Sequence, residues 1–147
     1  MTDSARAIEN LLYTYAERID RGDFDGVADL FANGRIVPMP DVSIDGRDAV
    51  FELYRSTTRR YDDCGTPKTH HVTTNAIIEV DDTAGTATAR SYYTVFQCTD
   101  SLPFQPIIGG RYHDTFHRID GEWWFDTRSM QIDHLGDLSQ HLLIEVG

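Results

Sequence analysis

From residue 68 onward the chain is almost continuously strand-forming. Residues 68–80, 84–98, 107–119 and 122–134 are rich in Thr, Val, Ile, Tyr, Phe and Trp, with Asp81-Asp82 and Asp120-Gly121 where hairpin turns belong. This predicts an antiparallel meander of at least four strands. The Thr99–Pro106 stretch between them holds Pro103, Phe104 and Pro106, which predicts a stiff apolar rim rather than a continued ladder.

The first third has the opposite periodicity. Ile8, Leu11, Leu12, Tyr15 and Ile19 recur every three or four residues behind Asp3 or Ser4 as N-cap, which predicts an amphipathic helix over residues 4–20. Asp23 can cap a short second helix through Phe31, which Asn33-Gly34 ends, and a short strand and turn run on to Asp45-Gly46. Val50, Phe51, Leu53 and Tyr54 predict a third helix from Arg47 to about Tyr61. Helices first and long strands later give an α+β fold, with the helices covering one face of a curved sheet.

A chain of 147 residues with 40% hydrophobic content fits a single domain over 1–147 with one core. Its formal charge of -11, from 24 acidic against 13 basic side chains without a basic stripe, disfavours nucleic acid and anionic membrane surfaces. No run approaches a membrane span, and the start has no basic region followed by an apolar stretch, so a cytoplasmic protein is expected. Cys64 and Cys98 lie outside any CxxC pattern and read as reduced thiols.

Two residues could carry chemistry together. Asp20 ends the first helix, about 100° around from its apolar stripe, and His71 lies in the first long strand. A carboxylate behind an imidazole would fix its tautomer and make a general base. Alone, each has a plainer reading, Asp20 as a solvated helix-end acid and either His70 or His71 as an idle strand residue. Strict alternation puts His70, Val72, Thr74, Ala76, Ile78 and Val80 on one, drier side and His71, Thr73, Asn75, Ile77 and Glu79 on the other, which would suit a polar-lined cavity.

Arg128 sits among aromatics in Trp123-Trp124-Phe125-Asp126-Thr127-Arg128, where it either pairs with Asp114 or Asp126 or stabilises negative charge on a substrate. Arg111 is a weaker candidate for the same role. Tyr13, Tyr15, Tyr54, Tyr92 and Tyr93 are core aromatics or, around a cavity, donors to a substrate oxygen. His113 and His117 share one side of a strand but lie about 13 Å apart, too far for one ion, so no metal is expected.

The segments Ile8-Glu-Asn-Leu-Leu-Tyr-Thr-Tyr, Asp20-Arg-Gly-Asp, Asp45-Gly-Arg, His71-Val-Thr-Thr-Asn, Gly109-Gly-Arg-Tyr-His-Asp-Thr-Phe and Asp120-Gly-Glu-Trp resemble the SnoaL-like family of the nuclear transport factor 2-like superfamily. The resemblance implies a cone of three helices on a strongly bent mixed, mainly antiparallel sheet around a cavity for a small hydrophobic molecule. It implies an Asp20–His71 dyad like that of the scytalone dehydratase, bile acid dehydratase and hexachlorocyclohexane dehydrochlorinase branch, which selects His71 over His70. Tyr15 stands where the dehydrochlorinase has a lysine and the bile acid dehydratase a tyrosine, which points to oxygen chemistry. The implied activity is that of a cofactor-independent lyase, a dehydratase, with Tyr15, Tyr54, Asn75 and Arg128 binding substrate. Isomerases, aldol cyclases and non-catalytic binding or structural subunits of the same superfamily are the alternatives. An outer sheet face carrying residues such as Ile78 and Val80 would need covering, so a homo-oligomer, dimer or trimer, is expected.

Overall fold

A computed structural model describes residues 3–146. Helix α1 spans Ser4–Asp20, capped by the Asp3 carboxylate on the backbone N–H of Ala5, and buries Ile8, Leu12, Tyr15, Ala16 and Ile19. It stops where Gly22 takes a left-handed φ of 71° against the Gly65 carbonyl; a Cβ there would come within 2.2 Å of that oxygen. Helix α2, Phe24–Asp29, is capped by Asp23 on the Gly26 N–H. Strands β1 (Arg35–Met39) and β2 (Val42–Asp45) lead into α3, Gly46–Thr57. That helix ends four residues before the expected Tyr61, because Thr58 is already extended and bridges to Leu142 in the C-terminal segment. No helix among the described residues is long and apolar enough to cross a membrane.

The remaining strands are β3 (Thr69–Asp81), β4 (Thr86–Thr99), β5 (Leu102–Ile119) and β6 (Glu122–Leu135), in one six-stranded sheet ordered β2-β1-β6-β5-β4-β3. All neighbours are antiparallel except β1 and β6, so the sheet is mixed, as expected. The β5–β6 hairpin turns on Asp120 (φ 51°) and Gly121 (φ 81°), the pair of left-handed residues that a tight two-residue turn demands. Strand β5 begins earlier than expected and runs through Pro103 and Pro106. This is possible because β6 pairs with β5 only as far as Ile108, so residues 102–106 are an edge bonded to β4 alone, with register shifts that absorb the prolines. Phe104 in this stretch is exposed and stacks on Phe96.

Bulges bend the sheet around the helices. At the one between Gly109 and Gly110, a Cβ on Gly110 would meet the Gln131 carbonyl at 2.0 Å and the Tyr93 hydroxyl at 2.7 Å. A second lies between Thr74 and Ile77, with Asn75 in the left-handed region at φ 56°. It breaks the alternation of β3. Thr69, His71 and Thr73 point inward before it; Ala76, Ile78 and Val80 do so after it and pack against the core. The outer face therefore carries Val72, Ile77, Tyr92 and Ile132, not Ile78 and Val80.

Candidate active site

Asp20 closes α1 on the flank that meets β3, and its carboxylate binds the strand three times. It accepts from the Thr69 hydroxyl at 2.9 Å, from the His71 backbone N–H at 2.8 Å, and it lies 2.7 Å from His71 Nδ1. A carboxylate only accepts, so Nδ1 carries a proton, and in the neutral ring the lone pair is then on Nε2. The side chains are 20% and 9% exposed, so the pair is largely shielded from solvent screening. His70, on the other side of the strand, is exposed. From outside, a groove of about 540 Å³ reaches Asp20 and Thr69 between Arg21, Lys68, Phe96 and Phe104.

Inside, the space between helices and sheet is occupied by tyrosines. Tyr15 and Tyr54 hydrogen-bond hydroxyl to hydroxyl, and Tyr112 meets Tyr15 edge-on and stacks on Tyr93 at 4.3 Å between ring centres. Burial raises the Tyr15 and Tyr54 phenols above their ordinary value and raises Tyr93 to about 12, so these hydroxyls stay protonated and can donate. Tyr13 and Tyr92 are exposed and stand apart from this group.

Beneath the tyrosines lies Arg128, wholly buried, with Nε and Nη2 donating to the two oxygens of Asp114 at 2.9 and 3.1 Å. Its guanidinium carbon lies 3.7 Å from the Tyr112 ring centre and 4.3 Å from that of Tyr15. Burial works against the arginine's charge, but Asp114 with Tyr112 and Tyr15 together outweigh it, and Arg128 holds its proton more tightly than a free arginine. Its Nη1 has no hydrogen-bond partner among the described residues. Arg111 instead pairs at the surface with Asp133. Among the described residues no three His, Cys, Asp or Glu side chains cluster as a metal site would require.

Asn75 does not reach this interior. The extra residue at the bulge turns it out to solvent, against the side that strict alternation assigns it. Conversely, His141 was not foreseen. It is 7% exposed, its ring lies edge-on to that of His71 with centres 6.3 Å apart, and it sits in a C-terminal segment without periodicity. The one hint in the sequence is the apolar Leu142-Leu143-Ile144 that follows, which suits a docked tail. Burial, aided by His71 and opposed by Asp20, lowers the His141 pKa to about 4.

A SnoaL-like domain family model matches residues 1–129. No curated protein matches the chain. Among solved structures, Rv3472 of Mycobacterium tuberculosis, a protein of unknown function, is 26% identical over 89% of this chain and 72% of its own, with a TM-score of 0.72. A scytalone dehydratase candidate from Novosphingobium aromaticivorans is 26% identical over 88% of this chain and 84% of its own, with a TM-score of 0.68. ActVI-ORFA of Streptomyces coelicolor, at 18% identity, covers 90% of this chain and all of its own with a TM-score of 0.72, a likeness of fold. With the three helices, the mixed sheet and a match over most of the sequence in agreement, the chain belongs to the SnoaL-like family, with the nuclear transport factor 2-like fold.

Proposed function

We propose that the protein is a cofactor-independent lyase, a dehydratase acting on a small hydrophobic carbonyl compound such as a polyketide, steroid or aromatic metabolite. The observation that carries this reading is the 2.7 Å contact of Asp20 with His71 Nδ1, which leaves Nε2 as a base of fixed tautomer. Similarity to the scytalone dehydratase candidate adds to it. In the proposed step His71 Nε2 takes the proton from the carbon beside the carbonyl. The electron pair of that bond forms a carbon–carbon double bond as the carbon–oxygen bond of the leaving hydroxyl breaks. The imidazolium returns its proton to the departing oxygen, so water leaves and the base is restored. Asp20 stabilises the transient imidazolium, and in this reading the Tyr15 and Tyr54 hydroxyls donate to the carbonyl oxygen.

The test is removal of a proton from carbon. Nitrobenzisoxazole is a suitable probe, since loss of its ring C–H proton opens the N–O bond and yields a coloured nitrile phenolate. Wild type should accelerate the opening, and His71→Ala should lose about 10²- to 10⁴-fold of that rate, the usual worth of a positioned base. Equal rates for the two would remove His71 from the chemistry.

The interlocked tyrosines favour a second reading, a ligand-binding or structural subunit in which the hydroxyls satisfy one another. It predicts no acceleration by wild type. An isomerase or aldol cyclase would keep the base and differ in product, since only elimination releases water.

A further inference from the structure

Three buried side-chain atoms without a hydrogen-bond partner among the described residues, Arg59 Nε, Gln97 Oε1 and His141 Nδ1, belong to the region where the C-terminal segment crosses the dyad end of the sheet. The backbone of that segment is tied down. Arg59 N–H donates to the His141 carbonyl at 2.8 Å, Leu143 N–H to the Thr57 carbonyl at 2.8 Å, and Gln97 Nε2 to the Gln140 carbonyl at 3.0 Å, which the Tyr61 hydroxyl also reaches. Gln97 in turn lies opposite Thr69, the residue whose hydroxyl holds Asp20. The His141 ring is thus delivered to the dyad by a fixed main chain, yet its Nδ1 is left buried and unpaired.

Packing alone does not explain that arrangement. An apolar ring would fill the same space without a desolvated nitrogen, and buried polar atoms are nearly always paired. We infer that His141 is a further substrate-contacting residue, whose imidazole hydrogen-bonds an oxygen of the molecule that His71 deprotonates. This rests on the lyase reading for the identity of that molecule. The burial that lowers its pKa to about 4 keeps the ring neutral at physiological pH, so it polarises an oxygen without transferring a proton. The proton balance set out for His71 is unchanged.

The experiment compares two ligands of nearly equal shape, α-tetralone, an aromatic ketone, and tetralin, the hydrocarbon that lacks its oxygen. Wild type should bind the ketone more tightly, and H141F should lose about fivefold of that preference, the worth of one neutral hydrogen bond, with tetralin affinity and thermal midpoint little changed. Equal loss for both ligands would mean a packing role and overturn the inference, as would an unchanged preference or a wild type that binds both alike. If H141F does not fold, H141N is read by the infrared carbonyl stretch of bound α-tetralone. A stretch that differs from wild type is expected, and an unchanged one overturns the inference. Nitrobenzisoxazole separates the two claims. A ketone preference that depends on His141, in a protein that does not open nitrobenzisoxazole, would keep the contact and discard the lyase.

Discussion

Replacing Arg128 with methionine should cost about 3–5 kcal/mol of stability, because it leaves the Asp114 carboxylate buried without its counter-ion. Both side chains are 0% exposed, the two hydrogen bonds between them are 2.9 and 3.1 Å, and no other cation pairs with Asp114 among the described residues. Methionine keeps an unbranched apolar chain but gives up the guanidinium that lies against Tyr112 and Tyr15, so the loss includes those ring contacts along with the charge. For a chain of this length the melting midpoint should fall by about 10 °C. Burial already pushes the Asp114 carboxyl above its ordinary value, against the pull of Arg128. Without the guanidinium, Asp114 should escape its penalty by taking up a proton, and the deficit of the variant should shrink as pH falls. Urea denaturation at several pH values measures this. The double variant Arg128→Met, Asp114→Leu should recover most of the loss, since apolar groups can replace a buried ion pair at little cost. A single variant within about 1 kcal/mol of wild type, or a double variant no better than the single, would refute the reasoning. Arg128 would then not be a structural anchor, and a substrate role for it would gain ground.

Asp20→Asn removes the charge that accepts from Thr69 and twice from His71; a loss of about 1–3 kcal/mol and a fall of about 10²-fold or more in nitrobenzisoxazole opening are expected. A variant that melts with wild type and keeps half its rate would show that the carboxylate neither clamps the helix nor orients the ring. The His141 pKa supplies a stability profile. Its folded value of about 4 lies below the ordinary 6.5, so between these values the unfolded chain binds the extra proton and stability falls as pH falls. At about 1.4 kcal/mol per unit, the loss from above pH 6.5 to pH 4 is about 3 kcal/mol. H141F should lack this component, whereas the groups facing the ring, His71 and Asp20, are common to both proteins. Parallel curves for the two would contradict the assignment.

Periodicity made the architecture legible, because one-sided burial leaves its mark on sequence. Ile8, Leu12, Tyr15 and Ile19 are the buried stripe of α1, and Asp120-Gly121 is a turn that few other dipeptides can make. The dyad was legible only by resemblance. Helical phase leaves Asp20 on a flank, and the phase of β3 cannot choose a side without knowing where a bulge falls. That bulge is also why Asn75 was misplaced. One left-handed residue shifts every later side chain of β3 to the other face, and nothing in Thr73-Thr-Asn-Ala76 announces it except the tolerance of asparagine for positive φ. The C-terminal segment was illegible for a different reason. Gly136-Asp-Leu-Ser-Gln-His141 owes its conformation to hydrogen bonds with residues 57–61 and 97, and such distant partners leave no local period.

Burial acts on the tyrosines of the interior and on His141 beside His71 in a consistent direction, and this bears on what the site can do. It raises the Tyr15 phenol, about one and a half turns before Asp20 on α1, and that of its partner Tyr54, and it lowers the imidazolium of His141. Each of these groups is therefore held in its neutral form near pH 7, the tyrosines as O–H donors and His141 as an imidazole. Negative charge beside His71 comes from Asp20, which the strand grips through Thr69 Oγ1 and the His71 N–H, contacts that do not depend on the protonation of the His71 ring. A proton arriving on Nε2 thus meets a carboxylate already fixed 2.7 Å from Nδ1, and the site need not reorganise to receive it. A carbon acid also needs its oxygen stabilised as the proton leaves. Neutral donors suit that task better than cations here, because a protonated His141 would oppose the charge that His71 acquires. On the proposed dehydratase reading, the same burial that packs this small core leaves the basic position to the dyad and the substrate's oxygen to its neutral neighbours.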